Sequence, residues 1–128
     1  MNALLLAVTL NKIESVKVLL RYPIEQQFLL SSILKSIEIY SFQIFDCLFD
    51  HYMKLVAPKQ SNITVVSELC TMLEYTYYLS KSEIKSKKIG VFEPIINTIH
   101  QELKYVILYY FLKLLFYFIL SHLYNSLI

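Results

Sequence analysis

Apolar residues recur along this chain at spacings of three and four, the period of a helix that buries one face. Ala3, Leu4, Ala7 and Val8 open the pattern, Asn11 interrupts it, and Ile13, Val16, Leu19 and Leu20 resume it. That spacing predicts a short helix, a tight turn and a second helix. The same order of events returns in SSILKSIEIYSFQIFDCLF from Ser31, in NITVVSELCTMLEYTYYLS from Asn62 and in EPIINTIHQELKYVILYYF from Glu93. First helices are therefore expected near residues 2–10, 31–39, 62–70 and 93–101, and second helices near 12–21, 41–53, 72–80 and 103–121. A small residue holds one place in each first helix: Ala7, Ser36, Ser67 and Thr98, at strides of 29, 31 and 31 residues. Small side chains at a fixed point let neighbouring helices approach closely, so these four are expected to be equivalent contacts in a stack.

The second helices repeat too, through Val16, Phe45 and Thr76, then Leu19, Leu48 and Leu79, with Val106 and Tyr109 in the fourth unit. Pro23 and Pro58 follow second helices, where proline stops a helix, and Pro94 sits in a first turn, where its missing N–H is not needed. The unit resembles the ankyrin repeat, whose T-P-L-H-x-A opening leads through a short helix and a turn to a second helix. Asn2-Ala3-Leu4-Leu5-Leu6-Ala7-Val8 stands at the opening, the stretch from Asn11 to Leu20 at the turn and second helix, and Glu93-Pro94-Ile95-Ile96 keeps the proline. The resemblance covers residues 2 to about 110 and is strongest over 2–21 and 31–53. The turn glycine is replaced by Asn11, Tyr40, Thr71 and Glu102, and the family's histidine by Leu5, Leu34, Val65 and Ile96. The stride is also short of the family's length of about 33 residues, which implies a stack poor in hairpin fingers.

What the resemblance implies is an all-α, ankyrin-like helix-turn-helix repeat solenoid of about four short units. It divides the chain into a repeat region, residues 1–104, and an apolar C-terminal helix, residues 105–128. It further implies a non-catalytic module that binds another protein by rigid display, with little ordering cost. Polar residues expected on the connectors are the candidate contacts: Gln26, Gln27, Lys59, Gln60, Lys85 and Lys87.

Composition narrows the alternatives. With 56% apolar residues in 128, the chain has ample material for a core, which excludes wholesale disorder. A single glycine, Gly90, rules out both the P-loop and the dinucleotide fingerprint, and with three prolines it argues against a turn-dense β-fold. A net charge of +2 gives no electrostatic footprint for nucleic acid. The opening MNALLLAVTLNK lacks a basic n-region and a small-residue cleavage site, so it reads as a helix and not a leader. Cys47 and Cys70 lie in apolar helical stretches and read as buried free thiols of a reducing compartment.

Catalytic chemistry is not announced. His51, His100 and His122 have no Cys or His partner at zinc spacing, and no serine or cysteine stands in a nucleophile motif. Asp46 and Asp50 share a helix face one turn apart, a pattern read as a solvated face. No enzyme and no cofactor are expected.

The last segment changes the picture. From Tyr105 the chain runs YVILYYFLKLLFYFILSHLYNSLI, and Lys113 is the only full charge after Lys104. A helix over 105–123 is about 28 Å long, the thickness of a bilayer core, and is apolar all round. Such a helix is either deeply buried as a terminal cap or lies in lipid. Lys81, Lys85, Lys87, Lys88 and Lys104 precede it and favour a cytoplasmic N-terminal part. The first expectation is thus a cytoplasmic interaction module whose last helix closes the stack. The alternative is a small tail-anchored membrane protein with a cytoplasmic helical head. The run KSEIKSKK at residues 81–88 reads as a solvated connector.

Overall fold

A computed structural model describes residues 2–82 and 89–127. Among them there is no strand, and six α-helices account for most of the chain. These are α1 (Ala3–Thr9), α2 (Ile13–Leu19), α3 (Gln26–Glu38), α4 (Phe42–His51), α5 (Asn62–Ser82) and α6 (Glu93–Leu127). The all-helical expectation holds; the expected count of four helix-turn-helix units does not. Two hairpins, α1/α2 and α3/α4, are followed by two long unbroken helices.

The two hairpins are built on one turn. Helix α1 ends where Asn11 takes a positive φ of 57°, and α3 ends where Tyr40 takes 61°. In the first turn the Asn11 N–H donates to the Val8 carbonyl and the Lys12 N–H to the Ala7 carbonyl, each at 2.9 Å. In the second, Tyr40 donates to Ile37 and Ser41 to Ser36, each at 3.1 Å. Both are the six-to-one, five-to-two pattern of a Schellman cap, which satisfies carbonyls left open at a helix end. Asparagine enters the left-handed region readily, but for tyrosine that backbone costs about 1–2 kcal/mol. The Tyr40 ring meets Phe92 edge-on at 5.3 Å, an aromatic pairing worth about 0.5–1.5 kcal/mol that offsets most of it. Ser41 then caps α4, its Oγ accepting from the Ile44 N–H at 3.3 Å.

The third and fourth predicted turns are absent. Thr71 lies inside α5 and its hydroxyl donates back to the Ser67 carbonyl at 3.0 Å, a bond only a continuing helix provides. Glu102 lies inside α6, which runs without interruption for 35 residues, about 52 Å. The expected fourfold equivalence of small residues halves accordingly: Ala7 and Ser36 are buried, Thr98 is half-buried and Ser67 is exposed. Residue 104 lies within α6, which passes straight through it. Helix α3 begins five residues ahead of the predicted start, since nothing after Pro23 breaks the Leu29, Ile33, Ile37 face that it buries.

Packing is in two rows. Helix α3 lies between α1 and α5, and α4 lies between α2 and α6, with α1 on α2, α3 on α4 and α5 on α6 closing the pairs. The core between the rows is Leu4, Val8, Val16, Leu29, Ile33, Ile37, Ile44, Phe45, Leu48, Leu69, Met72, Phe92, Ile95 and Ile99, all nearly or fully buried. An aromatic file on α4 runs through it, with Phe45 and Phe49 stacked at 5.1 Å and Phe49 leading on to Tyr52 at 6.4 Å. After α4 the coil widens into a π turn over Tyr52–Val56 and a 3-10 turn over Ala57–Lys59. The Ala57 N–H reaches back five residues to the Tyr52 carbonyl, just before Pro58, which has no N–H to continue the ladder.

Candidate membrane-spanning helix

Helices α5 and α6 run antiparallel. The Tyr77 hydroxyl pairs with His100 Nε2 at 3.0 Å, while at the other end Asn62, Ile63 and Val66 share an apolar groove of about 240 Å³ with Ile107 and Tyr110. The first turns of α6 belong to the core: Ile95 and Ile99 are buried and Ile96, Leu103 and Val106 pack against it. At Ile107 the helix passes the N-terminal end of α5 and leaves the head. From Ile107 to Leu127 every residue is exposed, Phe118 at 68% and Leu127 at 87%. The window of α6 that is apolar enough to cross a membrane has a mean hydropathy of 1.8, and none of it is buried.

That exposure does not fit a last helix that closes the stack. A closing helix of the stack would have its apolar sides against α4 and α5, but only the portion up to Val106 does. The exposed stretch of 21 residues spans about 32 Å, matching a hydrocarbon core of about 30 Å. A contiguous apolar surface of this kind marks a membrane or protein contact. Leaving the head at Ile107 also sets where the tyrosines fall along the exposed stretch. Tyr109 and Tyr110 stand within about 5 Å of the head-side end and Tyr124 within about 5 Å of the other, the depths of the interfacial belts, with only Tyr117 central.

Polar groups gather at the end of the head nearest this helix. The buried Tyr52 hydroxyl donates to Glu68 Oε2 in a short bond, and Gln26 Nε2 donates to Glu68 Oε1 at 2.7 Å. Gln60 Nε2 adds a longer contact to the same oxygen at 3.4 Å. Glu68 thus ties the start of α3, the π turn and α5 together. Of the candidate contact residues, Gln26 and Gln27 are exposed but open α3 instead of lying on a connector, and Gln27 bonds Glu25 at 2.9 Å. Lys59 is exposed in the 3-10 turn, and Gln60 is half-buried. Gln26 and Gln60 therefore meet on Glu68, which sequence reasoning passed over; the spacing of Glu68 on a helix gave no signal for it. Lys85 and Lys87 lie outside the described residues, as does all of KSEIKSKK except its first two residues. Lys81 is exposed at the end of α5 remote from Ile107.

Burial and the Glu68 hydrogen bond push the Tyr52 hydroxyl well above its ordinary value of 10.0. Burial and then Glu38 raise Tyr75 in the same direction. Unfolded tyrosines release their protons near pH 10, whereas these stay protonated in the fold. Their contribution to stability is complete below about pH 10 and is lost as pH rises beyond it, by about 1.4 kcal/mol per further pH unit for Tyr52. Urea melts across that range are expected to show the loss, and Tyr52→Phe is expected to flatten it. An unchanged profile in the variant would show that Tyr52 is not the titrating group.

The remaining chemistry is quiet. Asp50 pairs with Lys54 at 3.1 Å on an exposed face, and burial lowers the neighbouring His51 imidazole, with Asp50 opposing. Cys47 and Cys70 are both free and half-buried, and burial raises the Cys47 thiol. Among the described residues no group of His, Cys, Asp and Glu has the arrangement of a metal site. Compared with protein-family models, curated proteins and solved structures, the chain matches none.

Proposed function

We propose that this chain is a non-catalytic protein-binding module held at a membrane by the second half of α6. The observation that carries the reading is the complete exposure of Ile107–Leu127, an apolar stretch of bilayer length that the head leaves uncovered. Water is a poor solvent for such a surface, and a hydrocarbon core removes the penalty. The head is read as two ankyrin-like hairpins, supported by the matched Schellman turns at Asn11 and Tyr40 and by the packing of α1 on α3 and α2 on α4. Its role is rigid display: a partner meets surfaces already fixed in register, so little is lost to ordering. Of the candidate contacts, Gln27, which bonds only its neighbour Glu25, and Lys59 lie exposed on described surface. The lysines that precede the span in sequence, Lys104 nearest, favour a head on the cytoplasmic side.

Flotation with neutral phosphatidylcholine vesicles after an alkaline carbonate wash tests the anchor. The full chain is expected to float, and a version ending at Val106 to stay in the soluble fraction with helical circular dichroism. Full release of the intact chain by carbonate would remove the membrane reading.

A further inference from the structure

The exposed half of α6 is not uniform around its axis. At about 100° per residue, Tyr109, Tyr110, Lys113, Tyr117, Ser121 and Tyr124 fall within an arc of about 120°, shared only with Leu120 and Leu127. Ile107, Leu108, Phe111, Leu112, Leu114, Leu115, Phe116, Phe118, Ile119 and Leu123 cover the rest, and the other polar residues, His122, Asn125 and Ser126, come only in the last turns. Hydroxyls and a cation on one side, hydrocarbon on the other, is the division expected of a spanning helix that faces lipid with one side and another helix with its opposite side. Lys113 lies about 9 Å past Ile107 in the direction of the far leaflet, deep enough that its ammonium needs a counter-charge or a long reach to the headgroups.

Resting on the membrane reading, we infer that this stripe binds a membrane-spanning helix of another protein that carries an Asp or Glu at the depth of Lys113. Charge decides the occupant. No acidic residue follows Glu102, so neither this span nor a second copy of it can supply the carboxylate. A parallel pair of identical stripes would instead set two Lys113 ammonium groups against each other where the dielectric is low. A carboxylate neutralises the lysine, and the flanking hydroxyls of Tyr109, Tyr110 and Tyr117 are placed to share in hydrogen bonding across the contact. The aliphatic side then turns to the acyl chains, where it loses nothing.

The test uses the full chain in neutral phosphatidylcholine vesicles, with a fluorophore on the head. The probe is a labelled leucine–alanine helix of about 20 residues, bearing one Glu at matching depth or Leu in its place. Energy transfer is expected to report association about ten-fold tighter with the Glu probe than with the Leu probe. Lys113→Leu should erase that difference while still floating with the vesicles. Tyr117→Phe should weaken it two- to three-fold, by about 0.4–0.7 kcal/mol, and Phe118→Leu, on the opposite side, should leave it unchanged. Equal binding of both probes would overturn the inference, since Lys113 would then be satisfied by lipid headgroups. Preferential transfer between copies of the chain would overturn it in favour of a homo-oligomer. A chain that does not float removes this inference together with the anchor, whereas a chain that floats and fails to discriminate removes this inference alone.

Discussion

Phe45→Ala is expected to remove about 3–5 kcal/mol from the stability of the head, the range for deleting a fully buried aromatic ring. Phe45 is completely buried, stacks on Phe49 at 5.1 Å and lies within 6.3 Å of Phe42, in the helix that touches α2, α3 and α6. The neighbours on several helices cannot all close on the vacated volume, so the cavity cost is added to the lost transfer energy. Small domains keep only about 5–15 kcal/mol in total, so the variant should unfold at markedly lower urea, with a substantial unfolded fraction if the head is at the lower end of that range. Phe118→Ala removes an equally large ring from a position that touches no part of the head and should leave the same melt unmoved. Urea titrations of the two variants in mild detergent, followed by circular dichroism, check the contrast. Equal losses would mean that the exposed stretch packs on the head in solution.

The alternation of apolar positions was legible wherever the chain carried its own stop signals. Asn11 tolerates a left-handed backbone, and Ser41 caps the helix after Tyr40, so the two hairpins form close to where the spacing predicts them. Pro23, Pro58 and Pro94 also fall at element ends or in a first turn, as proline geometry requires. Residue count alone does not carry the repeat forward. At Thr71 and Glu102 the alignment put a turn where neither an αL-tolerant residue nor a following capping side chain stands; Met72 and Leu103 come next. A β-branched residue such as Thr71 is a poor occupant of positive φ, and its hydroxyl finds a helical carbonyl one turn back instead. Periodicity therefore fixed the helix faces, while local turn chemistry decided the number of helices.

The apolar run was equally plain in sequence, but its environment was not. Hydropathy describes what a segment would prefer and is silent on whether its own head can cover it. Cover ends where α5 begins: its first turn meets Ile107 and Tyr110, and beyond that point no described helix lies alongside α6. The Glu68 cluster was hidden for a related reason. Gln26, Tyr52, Gln60 and Glu68 are separated by up to 42 residues, and only the packing of α3, the π turn and α5 makes them neighbours.

Placing aspartate at both Leu115 and Phe118 is expected to abolish vesicle flotation while leaving the head's melt unchanged. Twelve residues between Ile107 and Leu127 are Leu, Ile or Phe, and at about 0.3–0.6 kcal/mol each they favour insertion by about 4–7 kcal/mol. Lys113 opposes them by at most about 2.5–3.5 kcal/mol, less for its distance from the midplane, which leaves a favourable balance in the natural chain. Two central aspartates together shift that balance by about 6–8 kcal/mol, more than the margin, so the sign of the transfer reverses. Both positions lie on the side of α6 opposite Lys113, so the loss does not work through the polar stripe. Neither side chain touches the core, so no cavity is made and no buried partner is stranded. A chain that still floats with both aspartates in place is held by its head, and the span from Ile107 to Leu127 is then not its anchor.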